Sequence, residues 1–294
     1  MKFLPGNRRL FTTLIFCFGI ITCRAQTSVW NSVNSVKGSA GKSAAGFKNK
    51  LKNYKQHLQE WGSDPNCNKE LLVGGKVNTN GWSGSIYYLK RKNKLTNGLW
   101  QLHFSEIKHE KQIKQQGTNK AFPQLGNPGP YVFGKINNLY TLQLGFGKEK
   151  LLLPDVLEGN ISVSFRYSGG LSLAMLKPYY LKLIYVDYTQ PTDPATLKDE
   201  KYSSMNSDHF LNSGDVLAAS KWSRGLDEIQ YVPGLFAEAC FVITPSKSKS
   251  FIQVITLGAN IAYYLKVLPI MADQKAYPYQ ASLFAGLGIG KRWK

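Results

Sequence analysis

No uninterrupted apolar run in this chain reaches the roughly 18 residues of a membrane-spanning helix, so a bilayer crossing would have to be made by strands. Cysteine is nearly absent. Of four residues, Cys17 and Cys23 fall in an N-terminal leader, and Cys67 and Cys240 alone cannot make a disulfide framework. Cys240 falls mid-strand and Cys67 in a loop, which favours two free thiols over one bridge. Histidine is equally sparse: His103 and His109 share one segment, His57 and His209 lie elsewhere, and no carboxylate spacing completes a metal site. Nor is there a glycine-rich phosphate loop with its lysine. These absences leave no expected cofactor or metal. Acidic residues are also few, 18 against 37 Lys and Arg. Such a balance first suggests nucleic acid, but the lysines are scattered over turns and strand ends, and the leader directs the chain out of the cytoplasm.

That leader has Arg8 and Arg9, an apolar run over residues 10–21, then Thr22-Cys23-Arg24-Ala25-Gln26, the form of a secretory signal cleaved after Ala25. An acylated Cys23 is the alternative, poorly served by the approach Ile20-Ile21-Thr22. Removing Lys2, Arg8, Arg9 and Arg24 leaves 33 basic against 18 acidic residues, a net +15 suited to the anionic headgroups of lipopolysaccharide. Residues 26–45 are Ser-, Gly-, Ala- and Asn-rich. Phe47, Leu51, Tyr54, Leu58 and Trp61, with Lys48, Lys50, Lys52 and Lys55 between them, then predict a short basic amphipathic helix. It either lies on a membrane surface or packs at the mouth of the domain that follows.

From about residue 70 the period changes to two. Residues 71–79 and 82–91 form a hairpin if Asn80-Gly81 is a tight turn, or one bulged strand if it is not. Residues 99–108 alternate Trp100, Leu102 and Phe104 against Gln101, His103 and Ser105. Glycines and prolines from Gly117 to Pro130 then forbid a ladder. Residues 139–150 set Tyr140, Leu142, Leu144 and Phe146 against Thr141 and Gln143. Residues 161–186 hold one parity from Ile161 to Met175, opposed by Ser162, Ser164, Arg166 and Ser172, and carry it past Pro178 into Leu181, Leu183 and Tyr185. That segment is read as projecting beyond a bilayer instead of turning at Pro178. Residues 187–228 show no sustained period and read as a long external loop. Strands over 229–243 and 251–270 follow. In the last sixteen residues, YQASLFAGLGIGKRWK, the outward set includes Leu283, Leu287, Ile289 and Trp293, and the inward set Gly286, Gly288 and Gly290, taken to make room for Arg166 and Tyr264.

As a set these segments resemble uncharacterised outer-membrane barrels of Bacteroidota-type bacteria, in the company of PorT-like proteins. The resemblance is carried by Thr79-Asn80-Gly81-Trp82, Glu106-Ile107-Lys108-His109, Tyr131-Val132-Phe133-Gly134-Lys135, residues 169–180 (GGLSLAMLKPYY), Val232-Pro233-Gly234-Leu235 and Gly290-Lys291-Arg292-Trp293. It implies fold and location but brings no activity or catalytic residue. It also makes Leu287, Ile289 and Trp293 the signal read by the barrel-insertion machinery, with Lys294 a departure after the terminal aromatic.

The expectation is an all-β, antiparallel up-and-down transmembrane β-barrel of about eight strands, with a short N-terminal helix. Residues 1–25 are the signal peptide, 26–69 the basic lead and 70–294 the barrel, exported through the Sec pathway to the bacterial outer membrane. At this size side chains fill the lumen. Its expected polar cluster is Arg166, Glu238, Lys266, Asn260, Gln143 and His103, read as an ion-pair plug or as the lining of a narrow pore. His103, Ser105 and Glu106 invite an esterase reading, but same-face neighbours on a strand are about 7 Å apart, too far for a nucleophile and its base. A non-catalytic structural, surface-interaction or accessory role is expected, with lipid, lipopolysaccharide and the insertion machinery as partners, an envelope or external protein meeting residues 187–228, and no nucleic acid. A narrow solute channel, an esterase and a soluble lipocalin-like binder are the competing classes.

Overall fold

The computed structural model describes residues 68–93, 95–117, 123–153, 161–187, 189, 195–245 and 251–293. The expected signal peptide, basic lead and amphipathic helix lie outside the described residues. The strands are β1 Lys69–Asn78, β2 Gly81–Asn93, β3 Thr96–Ile107, β4 Lys114–Gln116, β5 Pro130–Val132, β6 Asn137–Leu153, β7 Ile161–Pro178, β8 Tyr180–Val186, β9 Ala195–Lys201, β10 Val216–Ala219, β11 Gln230–Pro245, β12 Phe251–Tyr264 and β13 Tyr279–Trp293, with one helical turn, α1, at Ser207–Phe210.

Eight of these close on themselves in the order β1, β2, β3, β6, β7, β11, β12, β13. Every neighbouring pair is antiparallel, and β13 returns to β1 with Lys69 opposite Trp293 and Asn78 opposite Phe284. The chain is therefore an up-and-down barrel without a free barrel edge. The period-two pattern explains it: Trp100, Leu102, Leu144, Phe146, Leu171, Leu235, Leu257, Leu283, Leu287 and Ile289 all point out and stay exposed, while the residues between them turn inward.

The Asn80-Gly81 ambiguity resolves as a hairpin, displaced by one residue. Asn78 pairs with Gly81, so the connection is Thr79-Asn80. Gly81 closes the ladder at a φ of 150°, and a Cβ there would strike the carbonyl oxygen of Glu106 on β3.

The two ends of the barrel differ. One carries the strand ends Lys69 and Trp293 and the connections 94–95, 154–160 and 246–250. The other carries the Thr79-Asn80 turn and three longer connections, 108–136, 179–229 and 265–278. Short turns at one end and long loops at the other are the usual asymmetry of such barrels.

The long connections are folded, which alters three sequence expectations. First, the segment over 161–186 does not turn back at Pro178 but is not one strand either: β7 ends there, and after Tyr179 the chain continues as β8, which pairs with β9 on one side and β10 on the other. Leu181 and Leu183 keep the outward parity but are fully buried, because the strand has left the barrel and their side chains meet Tyr131, Phe210 and Val216 in a separate core. Second, residues 187–228 are not merely loop, since β9, α1 and β10 lie within them. Third, the Gly- and Pro-rich segment ending at Pro130 does support a short ladder, in which Pro130 opposes Gln116 and Val132 opposes Lys114. The Gly117 N–H donates to Gly129 O at 2.9 Å and the Gly129 N–H to Leu217 O at 3.0 Å, joining this ribbon to β10. Together these pieces make a cap at the long-loop end.

Candidate functional site

The inward side chains form three zones. On the side of the short turns Leu72, Leu89, Leu99, Val242, Ile252 and Val254 pack into one apolar cluster. Toward the cap Leu139, Leu176, Val232, Phe236, Tyr264, Leu268 and Ile270 form another, the last two supplied by the connection after β12. That connection is held down by the Ile136 N–H donating to Ile270 O at 2.8 Å and by Asn137 Nδ2 donating to Pro269 O at 2.8 Å.

Between the apolar zones lies a polar centre built on Glu238. Lys76 Nζ donates to both carboxylate oxygens, at 2.9 and 3.0 Å. Asn260 Nδ2 donates to Oε2 at 3.2 Å, Tyr87 donates its hydroxyl to Oε1 at 3.4 Å, and His103 Nδ1 lies 3.4 Å from Oε2. Asn260 also exchanges hydrogen bonds with Gln143, at 3.1 and 3.4 Å. The Lys76 ammonium sits 4.0 Å from the centroid of the Phe284 ring. Nearer the short-turn end, Arg166 donates to Glu149 Oε2 through Nε at 2.8 Å and Nη2 at 2.6 Å, with its guanidinium 4.3 Å from the centre of the Tyr87 ring. Buried charges demand such partners, and cation–π contact supplements them.

Of the expected lumen cluster, the structure gathers Glu238, Asn260, Gln143 and His103 at one centre and places Arg166 near it. Lys266 is not part of it. β12 ends at Tyr264, past which its ladders to β11 and β13 do not continue, and Lys266 is exposed in the following connection. The alternation continues past residue 264 without a ladder to hold it, which is why the segment reads as a strand to residue 270. Two partners were missed, Lys76 and Glu149. Each carries a parity signal, because Lys76 alternates with outward Val77 and Glu149 shares the inward parity of Gln143.

The terminal glycines are also reassigned. A Cβ on Gly286 would lie 2.8 Å from Lys76 Cγ and 2.8 Å from Thr256 Oγ1, so Gly286 makes room for the lysine of the central ion pair. Gly288 adjoins Val254 and Gly290 adjoins Leu72; neither lies against Arg166 or Tyr264. Leu287 and Ile289 are exposed on the outer face and Trp293 is half-buried opposite Lys69. Cys240 is a buried free thiol.

The remaining space in the centre is about 20 Å3, lined by Lys76, His103, Thr141, Gln143, Glu238 and Asn260 among others. That is room for about one water molecule. Among the described residues His103 Nε2 and Thr141 Oγ1 are buried there without a protein partner. Ser105 lines the same space, yet no hydroxyl of the described residues reaches His103 Nε2, so that histidine and serine are not paired as base and nucleophile. His109 belongs instead to the outer connection, where its Nδ1 accepts the Lys111 N–H at 3.2 Å. Among the described residues no three His, Cys, Asp or Glu side chains converge to hold a metal.

The cap has its own polar bracing. Tyr180 donates to Glu228 at 2.9 Å and Lys201 to the same carboxylate at 2.6 Å. The lysine and then the tyrosine hydrogen bond hold Glu228 below the usual carboxylate range. Tyr185 donates to Glu200 at 2.8 Å, and burial together with that carboxylate pushes its hydroxyl up to about 12.

An eight-stranded meander, apolar outside and ionic within, is the fold class these observations define. No family model and no curated protein sequence matches the chain. Solved structures similar to it include Neisserial surface protein A, at 7% identity and TM-score 0.36 over 76% of this chain and 96% of that one. A major outer membrane protein from Thermus thermophilus gives 9% identity and TM-score 0.39 over 76% and 99%. The attachment invasion locus protein of Yersinia pestis gives 9% and 0.33 over 77% and 99%. At these values the likenesses carry no functional argument, and the fold rests on the strand pairing itself.

Proposed function

We propose that the chain is an integral bacterial outer-membrane barrel with a non-catalytic, surface-directed role, in which a sealed barrel anchors and displays a folded extracellular cap. The observation that carries this reading is the inverted polarity of the wall. Leu287 is 70% exposed on the outside while Arg166 is 1% exposed within. A soluble lipocalin-like binder would have these faces reversed, and in water so continuous an apolar exterior would aggregate. Hydrocarbon is the solvent that suits it, and strands of 10 to 18 residues are long enough to cross.

The sealed lumen argues for the surface role over the solute channel. An apolar cluster packs on each side of the charged centre, little space remains in it, and Lys76 and Arg166 each have a carboxylate partner. In this reading residues 1–25 direct Sec export, the closing strand with Leu287, Ile289 and Trp293 is the element presented to the insertion machinery, and lipid and lipopolysaccharide surround the belt. The kinship with PorT-like barrels belongs to the same reading and rests on the sequence motifs quoted above. A protein partner is met through the cap, within residues 187–228.

The test is fractionation of the native host with heat-modifiable gel migration, followed by photo-crosslinking on intact cells from Met205, which is 99% exposed on the cap. Recovery in the outer membrane with a discrete crosslinked adduct supports the reading. Recovery in the soluble periplasm overturns it, and steady single-channel conductance of the purified barrel in planar bilayers overturns the sealed lumen.

A further inference from the structure

On the outer face at the cap end, two rows of side chains sit one above the other. The lower row is aromatic. Trp82, Glu106 and Tyr140 are cross-strand neighbours, Trp82 Nε1 donates to Glu106 at 2.7 Å, and Tyr140 stacks on Phe104 with ring centres 5.9 Å apart. Trp222, descending from the cap, donates its indole N–H to the Tyr140 hydroxyl at 3.0 Å. The upper row is basic. Lys177 stands opposite Asn138 one step above Tyr140, and Lys108 is exposed two residues after Glu106, just past the end of β3.

Two of the cations here are buried. Lys177 is 3% exposed with its ammonium 5.0 Å from the centre of the Trp222 indole. Tyr179, two residues on, carries the ammonium of Lys135 over its ring at 5.4 Å. Lys135 is 6% exposed and, among the described residues, its ammonium donates to Gln112 Oε1 alone, at 3.2 Å, while Gln112 Nε2 is buried with no partner among them. Among the described residues no carboxylate lies within ion-pair distance of Lys108, Lys114, Lys135 or Lys177. Burial above all, with Lys108, Lys177 and Lys114 pushing the same way against Glu106, brings the Lys135 ammonium down to about 8.

Buried ammonium groups without acids, beside an unused amide donor, form an incomplete electrostatic site. A phosphate ester supplies what is missing, close to two negative charges and three strong acceptor oxygens. The height of the site indicates where the phosphate comes from. An aromatic row directly beneath a basic row marks the level of lipid headgroups on a membrane barrel. We propose that Lys108, Lys114, Lys135 and Lys177, with Gln112, bind the phosphate of a phosphorylated outer-leaflet lipid, whose acyl chains run down over Trp222, Tyr140 and Phe104. The proposal rests on the outer-membrane reading above.

The experiment titrates the full chain, folded in neutral detergent micelles, with diphosphoryl lipid A, with its dephosphorylated form and with inorganic phosphate. Lys135→Gln/Lys177→Gln is expected to weaken diphosphoryl lipid A binding about tenfold or more, since each lost charge-assisted hydrogen bond is worth close to that factor. Lys108→Gln/Lys114→Gln, at exposed positions that folding tolerates, should weaken it severalfold. Lys198→Gln/Lys266→Gln removes the same charge elsewhere and should leave binding unchanged. Raising the pH from 7 to 9 should weaken binding by the wild type and not by Lys135→Gln. Equal loss in the Lys198/Lys266 variant would reduce the site to diffuse charge and overturn the proposal. So would undiminished binding of dephosphorylated lipid A, or binding of inorganic phosphate as tight as that of the lipid. Heat-modifiable migration is scored on the same samples, so failure of lipid binding by an intact barrel refutes this site alone, whereas failure to form a membrane barrel refutes the reading beneath it.

Discussion

Lys76→Met isolates the stability contribution of the central ion pair. The substitution keeps an unbranched side chain against Phe284 but removes both hydrogen bonds that Glu238 receives from the ammonium. What remains to the carboxylate is one bond of 3.2 Å from Asn260, a long one of 3.4 Å from Tyr87, and His103 at 3.4 Å. Removing one member of a buried pair usually costs about 3–5 kcal/mol, because the other charge is left without compensation. With Asn260 and Tyr87 still in place the lower end applies, about 3 kcal/mol, a large share of a typical domain's ~5–15 kcal/mol. Replacing both members, Lys76→Met with Glu238→Leu, removes the charges together and should recover to within about 1 kcal/mol of the wild type. Urea unfolding of the full chain refolded into lipid vesicles, followed by tryptophan fluorescence, reads both values. If Lys76→Met alone lies within about 1 kcal/mol of wild type, or if the double variant is no more stable than the single, the central pair does not organise the lumen and the reasoning fails.

Lysine at outward Leu257, in the middle of β12, should cost about 2–4 kcal/mol and at outward Leu283, level with the Thr79-Asn80 turn, less, read as lost heat-modifiable folding, whereas Asp at Ser282, inward and half-buried beside the central cavity, should be milder than the change at Leu257; equal damage at both faces would reverse the assignment of inside and outside. Gly286→Val should lower stability by about 1–3 kcal/mol as an overpacking change, because its side chain competes with Lys76 Cγ and Thr256 Oγ1, and a vesicle unfolding midpoint equal to the wild type would contradict it. Lys135 drops from an ordinary 10.5 to about 8 on folding, so between those values the unfolded chain binds more protons and stability rises with pH, by at most about 3 kcal/mol over the window. Protease resistance of the cap should therefore increase from pH 8 to 10.5 in lipid-free detergent, and Lys135→Met should be more resistant at pH 7 and lack that slope.

The barrel was legible because its signal is local. Alternation is written residue by residue, and it sorts Trp100 from Gln101 and Leu171 from Ser172 without any knowledge of which strand lies beside which. The same locality explains the errors. Periodicity reports a strand's two faces but not what each face meets, so Leu181 and Leu183 read as the outward face of a projecting strand although they are the centre of the cap core. It also does not report where a ladder ends, so Lys266 was carried into a lumen that closes two residues earlier. Lys76 and Glu238 are 162 residues apart in the chain, and only the closure of β13 on β1 brings their strands around one lumen. Parity puts each of them inside, but pairing them requires the register. The cap escaped because its pieces are three- to seven-residue strands and a single helical turn, too short to show a period.

The lumen and the cap therefore make different demands on sequence. In the centre of the barrel an ionic group is tolerated only with its partner, so a change at Lys76, Glu238, Arg166 or Glu149 is felt as folding. Apolar clusters lie on either side of that charged centre along the lumen. In the cap the core is small and apolar, Tyr131, Leu181, Leu183, Phe210 and Val216, and the polar groups around it sit at the surface, where Lys201 and Glu228 have side chains 50% and 36% exposed. An exposed pair of that kind contributes little to stability, so substitutions at such positions should cost the fold little. Tyr179 is the only residue between β7 in the wall and β8 in the cap sheet, and its N–H donates to Ile136 O at 2.8 Å while its hydroxyl accepts the Val132 N–H at 3.1 Å. The cap is thus continuous with the barrel wall instead of hanging from a tether. Its surface is held at a fixed height above the aromatic and basic rows, which is the geometry that the proposed display role requires.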